Sequence, residues 1–335
     1  MVATGLLPPV PTPQGLKSKD FVPPPVDGSL TLSEIFDYNA RRSPDHSFFV
    51  YHDAPGKEEH IRWRQLRKAT GRVARIVLSH NVPSAPPAPK IIAILALVDT
   101  ITYFTVIHGI IQAGYIPFPI SPRNSPAAIA HLLTKTKTTH MFVSGDPSML
   151  TLSASAVKMA GDQVKLIPTP FFTQLYEPLP EEDELHLPPV QNADMLAPAL
   201  ILHSSGRFMR DHFSTRNEIN SLFSGSTSFP KPIVITQRIL IEWLRIPSYG
   251  EVDLCDTIIG AVALPMFHAL GVINSVSMVC HSLLRLLPMH SDTHISDLHR
   301  SARAAYLPFL SLWNALNFLP QSVLSRAWPR LTLPF

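Results

Sequence analysis

Two short stretches hold the residues whose types could do chemistry. Ser204, Ser205 and Gly206 follow the apolar run ALILH, and SGSTSFPKP, residues 224–232, leads into a second apolar run, IVIT. With residues 207–225 set aside, they join into an apolar strand, a loop carrying Ser204, Ser205, Gly206, Ser226, Thr227 and Ser228, then Lys231 and a second strand. Such a loop suits a polyphosphate. Its hydroxyls and backbone N–H groups can point at phosphate oxygens. Gly206 lets the backbone approach closely, and Lys231 adds a mobile positive charge. It is not the nucleotide-binding P-loop, which needs G-x-x-x-x-G-K-[ST], because no glycine directly precedes Lys231. A Ser/Thr-rich turn joining two strands is the plain alternative, and this segment alone leaves both open. A third stretch, ALPMFHALG at residues 263–271, ends an apolar run on His268. There the choice is between a site histidine and a capped core histidine after a strand, with Phe267 reading as core. Adjacent Cys280 and His281 do not make a metal motif, since neighbours rarely converge on one ion, and no metal ligand set is expected.

These residues need a scaffold, and the chain alternates strand and helix through most of its length. Leu30, Leu32, Ile35 and Phe36 recur at helical spacing, followed by a turn at Ser43-Pro44-Asp45 and a strand over 48–51. Residues 61–79 read as a second helix with Leu66, Val73, Ile76 and Val77 inward, and 81–89 as a Pro-rich linker. The run 91–97 has no polar alternation, as expected of a parallel strand covered on both faces. A helix starts near Asp99 or Thr100, and Asn124 or Ser125 caps the next, with Pro126 in its first turn. Short strands are expected at 140–144, 164–168, 199–203 and 258–264. The fold class is therefore α/β, with layered, mostly parallel sheets and flanking helices.

Composition narrows the partners. Hydrophobic residues make up 45% of the 335, enough for a buried core. Net charge is only +3, so nothing calls for nucleic acid. Residues 91–120 are long enough to span a bilayer, but Asp99, His108 and Gln112 interrupt them, and strand, helix, strand is the preferred reading, with no membrane partner. Two cysteines fit a reducing, cytoplasmic setting.

The joined motif resembles the signature loop of the adenylate-forming superfamily, the AMP-binding synthetases and ligases. GYIPFPISPRNSP, residues 114–126, resembles that family's second core motif, and ALPMFHALG its fourth, in the right order. The stretches GSLTLSEIFDYNARRSPDHSFFVY, ITYFTVIHGIIQAG and SYGEVDLCD are similar to the adenylation domain of fungal nonribosomal-peptide-synthetase-like carboxylic acid reductases, the aminoadipate-reductase-like enzymes. The likeness covers residues 15–285 apart from 207–225. It implies the N-terminal part of an adenylate-forming fold and a carboxylic acid substrate attacking the α-phosphate of ATP with Mg. The acyl group then passes to phosphopantetheine, with NADPH-dependent release in full-length relatives. By that resemblance Ser204, Ser205, Gly206, Ser226, Thr227, Ser228 and Lys231 grip the β- and γ-phosphates, and His268 sits near the substrate carboxylate.

The resemblance also implies a division: a Pro-rich arm at 1–28, a first lobe at 29–190, a partial second lobe at 191–288 with the insertion 207–225, and a divergent tail at 289–335. Residues 207–225 carry three Arg and no clear period, and end in a Ser-Gly that repeats Ser205-Gly206. Two readings stand: a translated intron, or a genuine surface insertion. The tail holds no Gly after Gly271 and reads as a shifted frame or as an amphipathic helix with Phe309, Leu312, Leu316 and Leu319 on one face. The Tyr-Gly-x-Thr-Glu-like motif, the ribose-holding Asp, the lid Lys, a thiolation Ser and G-x-G-x-x-G are not recognisable. The expectation is an adenylation-domain fragment with little activity alone, its thiolation and reductase partners supplied in trans. A working enzyme and a non-catalytic interaction protein keeping the fold are the other readings.

Overall fold

The computed structural model describes residues 6–52, 56–80, 91–178, 194–204, 229–260, 265–277, 279 and 283–286. Residues 207–225, the linker 81–89 and the tail 289–335 lie outside the described residues.

One sheet is all parallel, in the order β4 (Ile116–Pro119), β3 (Ile91–Leu95), β5 (His140–Val143), β6 (Lys165–Pro168). The unbroken apolar run of β3 has a direct physical reason. Ile92 and Ile94 face a large core with Phe36, Phe48, Trp63 and Phe104, while Ile91, Ala93 and Leu95 face a second with Phe118, Ile129, Leu133 and Met141. Both faces are covered, so neither can be polar. The long apolar stretch is thus β3, then α3 (Thr100–Gln112), then β4. At about 1.5 Å per residue, a helix as short as α3 falls well under the ~30 Å of a bilayer core. Among the described residues no helix is long and apolar enough to cross a membrane. Asp99 is the N-cap of α3, accepting from the Thr102 N–H at 2.8 Å.

Helix α1 (Leu32–Arg42) opens on a capping box between Thr31 and Glu34. Helix α2 (Trp63–Ser79) starts two residues later than expected because Arg62 ends a strand, β2 (Glu58–Arg62), which pairs antiparallel with β1 (Ser47–His52). Where α2 crosses α3, Gly109 is required: a Cβ there would lie 2.4 Å from Val73 Cβ and 2.8 Å from the Thr70 carbonyl oxygen.

A second sheet has the order β2, β1, β10 (Leu283–Leu286), β9 (Ile258–Gly260). β1 pairs parallel with β10, and β10 with β9. Strands from the 29–190 and 191–288 segments therefore share one sheet. They also share one core, since the large cluster runs from Leu7 to Val279.

The Pro-rich arm has no regular structure over 6–28, yet it is tied down. Leu7 and Phe21 are buried, the Thr12 hydroxyl donates to the Gly250 carbonyl at 2.6 Å, and the Gly15 N–H donates to the Asp253 carboxylate at 2.9 Å. Buried Arg245 donates to the Pro8 carbonyl.

Candidate functional site

β7 (Pro198–His203) and β8 (Pro232–Thr236) form an antiparallel pair lying against β4. β7 is apolar on both faces, with Leu200 and Leu202 in the large core and Ile201 in the second. Its register carries His203 opposite Pro232. One step further, the Ser204 N–H donates to the Lys231 carbonyl at 3.0 Å, and the Lys231 N–H donates to Ser204 Oγ at 2.9 Å. Ser204 and Lys231, one from each half of the split motif, thus meet at the end of the hairpin. Lys231 is exposed, which leaves its ammonium free to swing toward an anion. Ser205, Gly206, Ser226, Thr227 and Ser228 lie outside the described residues.

His203 was not among the residues singled out from sequence, and it organises this region. Its Nδ1 donates to the Ser204 carbonyl at 2.9 Å, and its Nε2 accepts from the Ser121 N–H at 3.0 Å, with Asn124 Nδ2 at 3.5 Å. Those two bonds fix the neutral imidazole with its proton on Nδ1. Burial holds its pKa below the ordinary histidine value, and the neighbouring His268 acts in the same direction against the opposing Ser204 carbonyl. Ser121 and Asn124 belong to the loop after β4, and the next residue, Ser125, caps α4 (Pro126–Thr136), accepting from the Ala128 N–H at 3.3 Å. Phe229, just before β8, stacks on His131 of α4 at 5.0 Å between ring centroids. The second motif and the Ser/Lys hairpin are therefore bolted together. The available signal was position: His203 is a polar residue at the exit of an apolar strand, directly before Ser204.

His268 stands on the turn before α8 (Ala269–Ser277), its N–H bonded to the Pro265 carbonyl at 2.9 Å. Its Nδ1 accepts from the Leu270 N–H at 3.4 Å, so it caps α8. It is also exposed, and close enough to His203 for its charge to be felt there. The exposed ring is therefore not a core histidine. Phe267 packs partly buried against the large core.

The groups gathered here are Ser204, Lys231, His203 and His268: hydroxyl, ammonium and imidazole. That set suits an anion, and among the described residues it includes no carboxylate to hold Mg²⁺ directly.

The AMP-binding enzyme family model matches residues 36–207. The chain is 33% identical over 276 residues to adenylate-forming reductase Nps10 of Heterobasidion annosum, covering 78% of this chain and 24% of that protein. It is 31% identical to adenylate-forming reductase Nps11 of Serpula lacrymans, again over 24% of that protein. The chain thus spans about a quarter of the curated relatives it matches. In fold it is similar to the Klebsiella oxytoca NpsA N-terminal subdomain, solved with 3-hydroxybenzoyl-AMSN, at a TM-score of 0.56 and 15% identity, covering 82% of this chain and 57% of that one.

Proposed function

Since the chain belongs to the AMP-binding enzyme family, we propose that the β7–β8 hairpin is the phosphate grip of a carboxylate-activating adenylation unit. The observation that supports this is the direct Ser204–Lys231 pairing, which brings one residue of each half of the motif together. In the reaction a carboxylate oxygen attacks the α-phosphorus of ATP. The bond from that phosphorus to the bridging oxygen breaks, and pyrophosphate leaves with its electron pair. Ser204, Ser205, Gly206, Ser226, Thr227, Ser228 and Lys231 hold the β- and γ-phosphates and stabilise the charge on the departing group. His268 faces the carboxylic acid. Magnesium, carried on the nucleotide's own phosphates, would supply further charge neutralisation.

The full reductase sequence, acyl transfer to a phosphopantetheine thiol and NADPH-dependent release in a cytoplasmic setting, is proposed for the protein through its curated relatives. The 335 residues by themselves supply the grip, in the 191–288 segment, and we expect them to show little adenylation alone.

The test is titration of the chain with ATP, followed by nucleotide fluorescence or calorimetry. We expect weak binding that tightens when residues 207–225 are removed and weakens in Lys231→Ala. Binding unchanged by both alterations would sink the reading. Amplifying cDNA across codons 206 and 226 separates a retained intron from a coded insertion.

A second reading is favoured by the interruption of the motif at residues 207–225: a non-catalytic interaction protein that keeps the fold. It requires that removing 207–225 restores no ATP binding and that the chain holds a specific partner.

A further inference from the structure

Where the N-terminal arm crosses the 248–256 loop, three potential ligands, His46, Cys255 and Asp256, converge, and a fourth, Asp20, bonds to His46. His46 Nδ1 lies 3.1 Å from Asp20 Oδ1 and 3.7 Å from Asp256 Oδ1. Cys255 Sγ lies 3.8 Å from Asp256 Oδ1. The ligand atoms of His46, Cys255 and Asp256 all fall within 4.8 Å of one another. A tetrahedral zinc ion with donors at 2.0–2.3 Å sets those donors about 3.3–3.8 Å apart. The separations of 3.1, 3.7 and 3.8 Å lie near that spacing, and Asp20, whose side chain is 58% exposed, turns to join the other three around an ion.

The surroundings are those of a built site. The His46 side chain is only 4% exposed, and Phe21 packs on its ring at 4.7 Å. Ser18 Oγ stands 3.2 Å from Asp20 Oδ1 and 3.3 Å from Asp256 Oδ1, an outer-shell partner for both carboxylates. Asp253 shapes the turn by accepting from the Cys255 N–H at 3.0 Å and from Gly15. Asp256 has φ of 61°, a left-handed conformation. A cavity of about 370 Å³, lined by Ser18, Cys255 and Asp256 among others, opens onto the cluster and gives an ion a way in.

We propose that His46, Asp20, Cys255 and Asp256 form a structural zinc site that fastens the N-terminal arm to the 253–256 loop. The mixture of one thiolate, one imidazole and carboxylates favours zinc over calcium or magnesium, which take oxygen ligands. Binding replaces the thiol proton, which leaves to solvent, and uses the lone pair of His46 Nδ1. The site is independent of nucleotide binding.

The experiment takes the full chain, stripped with a chelator, and titrates Zn²⁺ against a chromophoric competitor. Co²⁺ substitution reports the donor set. We expect one tight zinc per chain, a thiolate-to-cobalt charge-transfer band in the near ultraviolet, and zinc-dependent protection of amides 15–20 from hydrogen exchange. Cys255→Ser should abolish that band, and Asp256→Asn should weaken zinc by more than about tenfold. Absence of stoichiometric zinc, or zinc binding unchanged in both variants, overturns the proposal. The wild-type cobalt spectrum decides even if a variant folds poorly: no thiolate band in it also overturns the site.

Discussion

The parallel sheet and the β7–β8 hairpin use the same kind of strand for opposite ends. β3 is buried on both faces, flanked by β4 and β5, and roofed by helices. β7 is equally apolar inside, but it ends on His203 and Ser204, where polar groups turn outward and meet Lys231. The sheet therefore carries stability, and the hairpin tip is where we propose the chemistry. Substitutions should separate the two: large losses of stability without specific loss of binding in the sheet and its helices, and the reverse at the tip.

The largest effect is expected at Phe104. It packs against Phe36, Phe48, Phe49 and His108 with ring centroids 4.1–6.0 Å apart. Phe104→Ala opens a cavity at this crossing and should cost about 3–5 kcal/mol in denaturant unfolding. Gly109→Ala acts nearby by the opposite route. The added methyl meets Val73 and a backbone carbonyl that cannot swing aside, and overpacking of this kind should cost about 1–3 kcal/mol. If Gly109→Ala unfolds at the wild-type midpoint, the α2–α3 contact is looser than its geometry says.

Acid should also strike the scaffold first. His108 is buried between Phe36 and Phe104, and burial pushes its pKa down to about 3. The fold thus holds it neutral, while the unfolded chain protonates it near 6.5. The unfolded state binds the extra proton between those values, so stability is full above about 6.5 and falls as pH drops toward 3. His140 and His203 are lowered too, mainly by burial, and add to the same slope. His108→Leu should flatten the pH dependence of the urea midpoint without removing it. An unchanged slope would mean that His108 is not neutral inside the fold.

The sequence exposed these two regions unequally, for a physical reason. The strand interiors of β3, β5 and β7 were legible because burial on two faces forbids polar alternation. Asp99 and Ser125 were legible as caps because short polar side chains satisfy free helical N–H groups. β2 was missed: Glu58, Glu59 and His60 carry no apolar signal, and only pairing with β1 makes them a strand. Helix α5 (Pro147–Met159) was likewise unread, its small and hydroxyl residues giving a weak apolar stripe. At the site, Ser204 and Lys231 were legible from residue type. His203 was not, because its importance lies in a bond to the Ser121 N–H contributed by a loop over eighty positions away. The same holds for His46 with Cys255, which only tertiary folding brings together.

His203 marks the border between the two regions, so its substitution should show both behaviours. His203→Phe leaves the Ser121 N–H and the Ser204 carbonyl without their imidazole partner, a loss of about 1–3 kcal/mol if neither finds water. Nucleotide binding should fall as well, because the loop after β4 and the hairpin lose their shared bolt. His203→Asn, which retains a donor and an acceptor on a shorter side chain, should recover part of the stability and less of the binding. A variant that binds nucleotide normally while melting early would assign His203 to the scaffold alone.

Lys231 should give the smallest change in stability and the most specific change in function. Its side chain is exposed and its backbone, not its ammonium, closes the hairpin through Ser204. Lys231→Ala therefore leaves the ladder intact, and unfolding should shift by no more than about 0.5 kcal/mol. The charge it removes is the ammonium at the end of the hairpin, where we propose the phosphates are held. Phosphate affinity, measured with pyrophosphate as well as ATP, should drop in this variant and lose part of its salt dependence. Retention of both affinity and salt dependence would move the grip off the hairpin and leave the Ser204–Lys231 pair as a strand closure only.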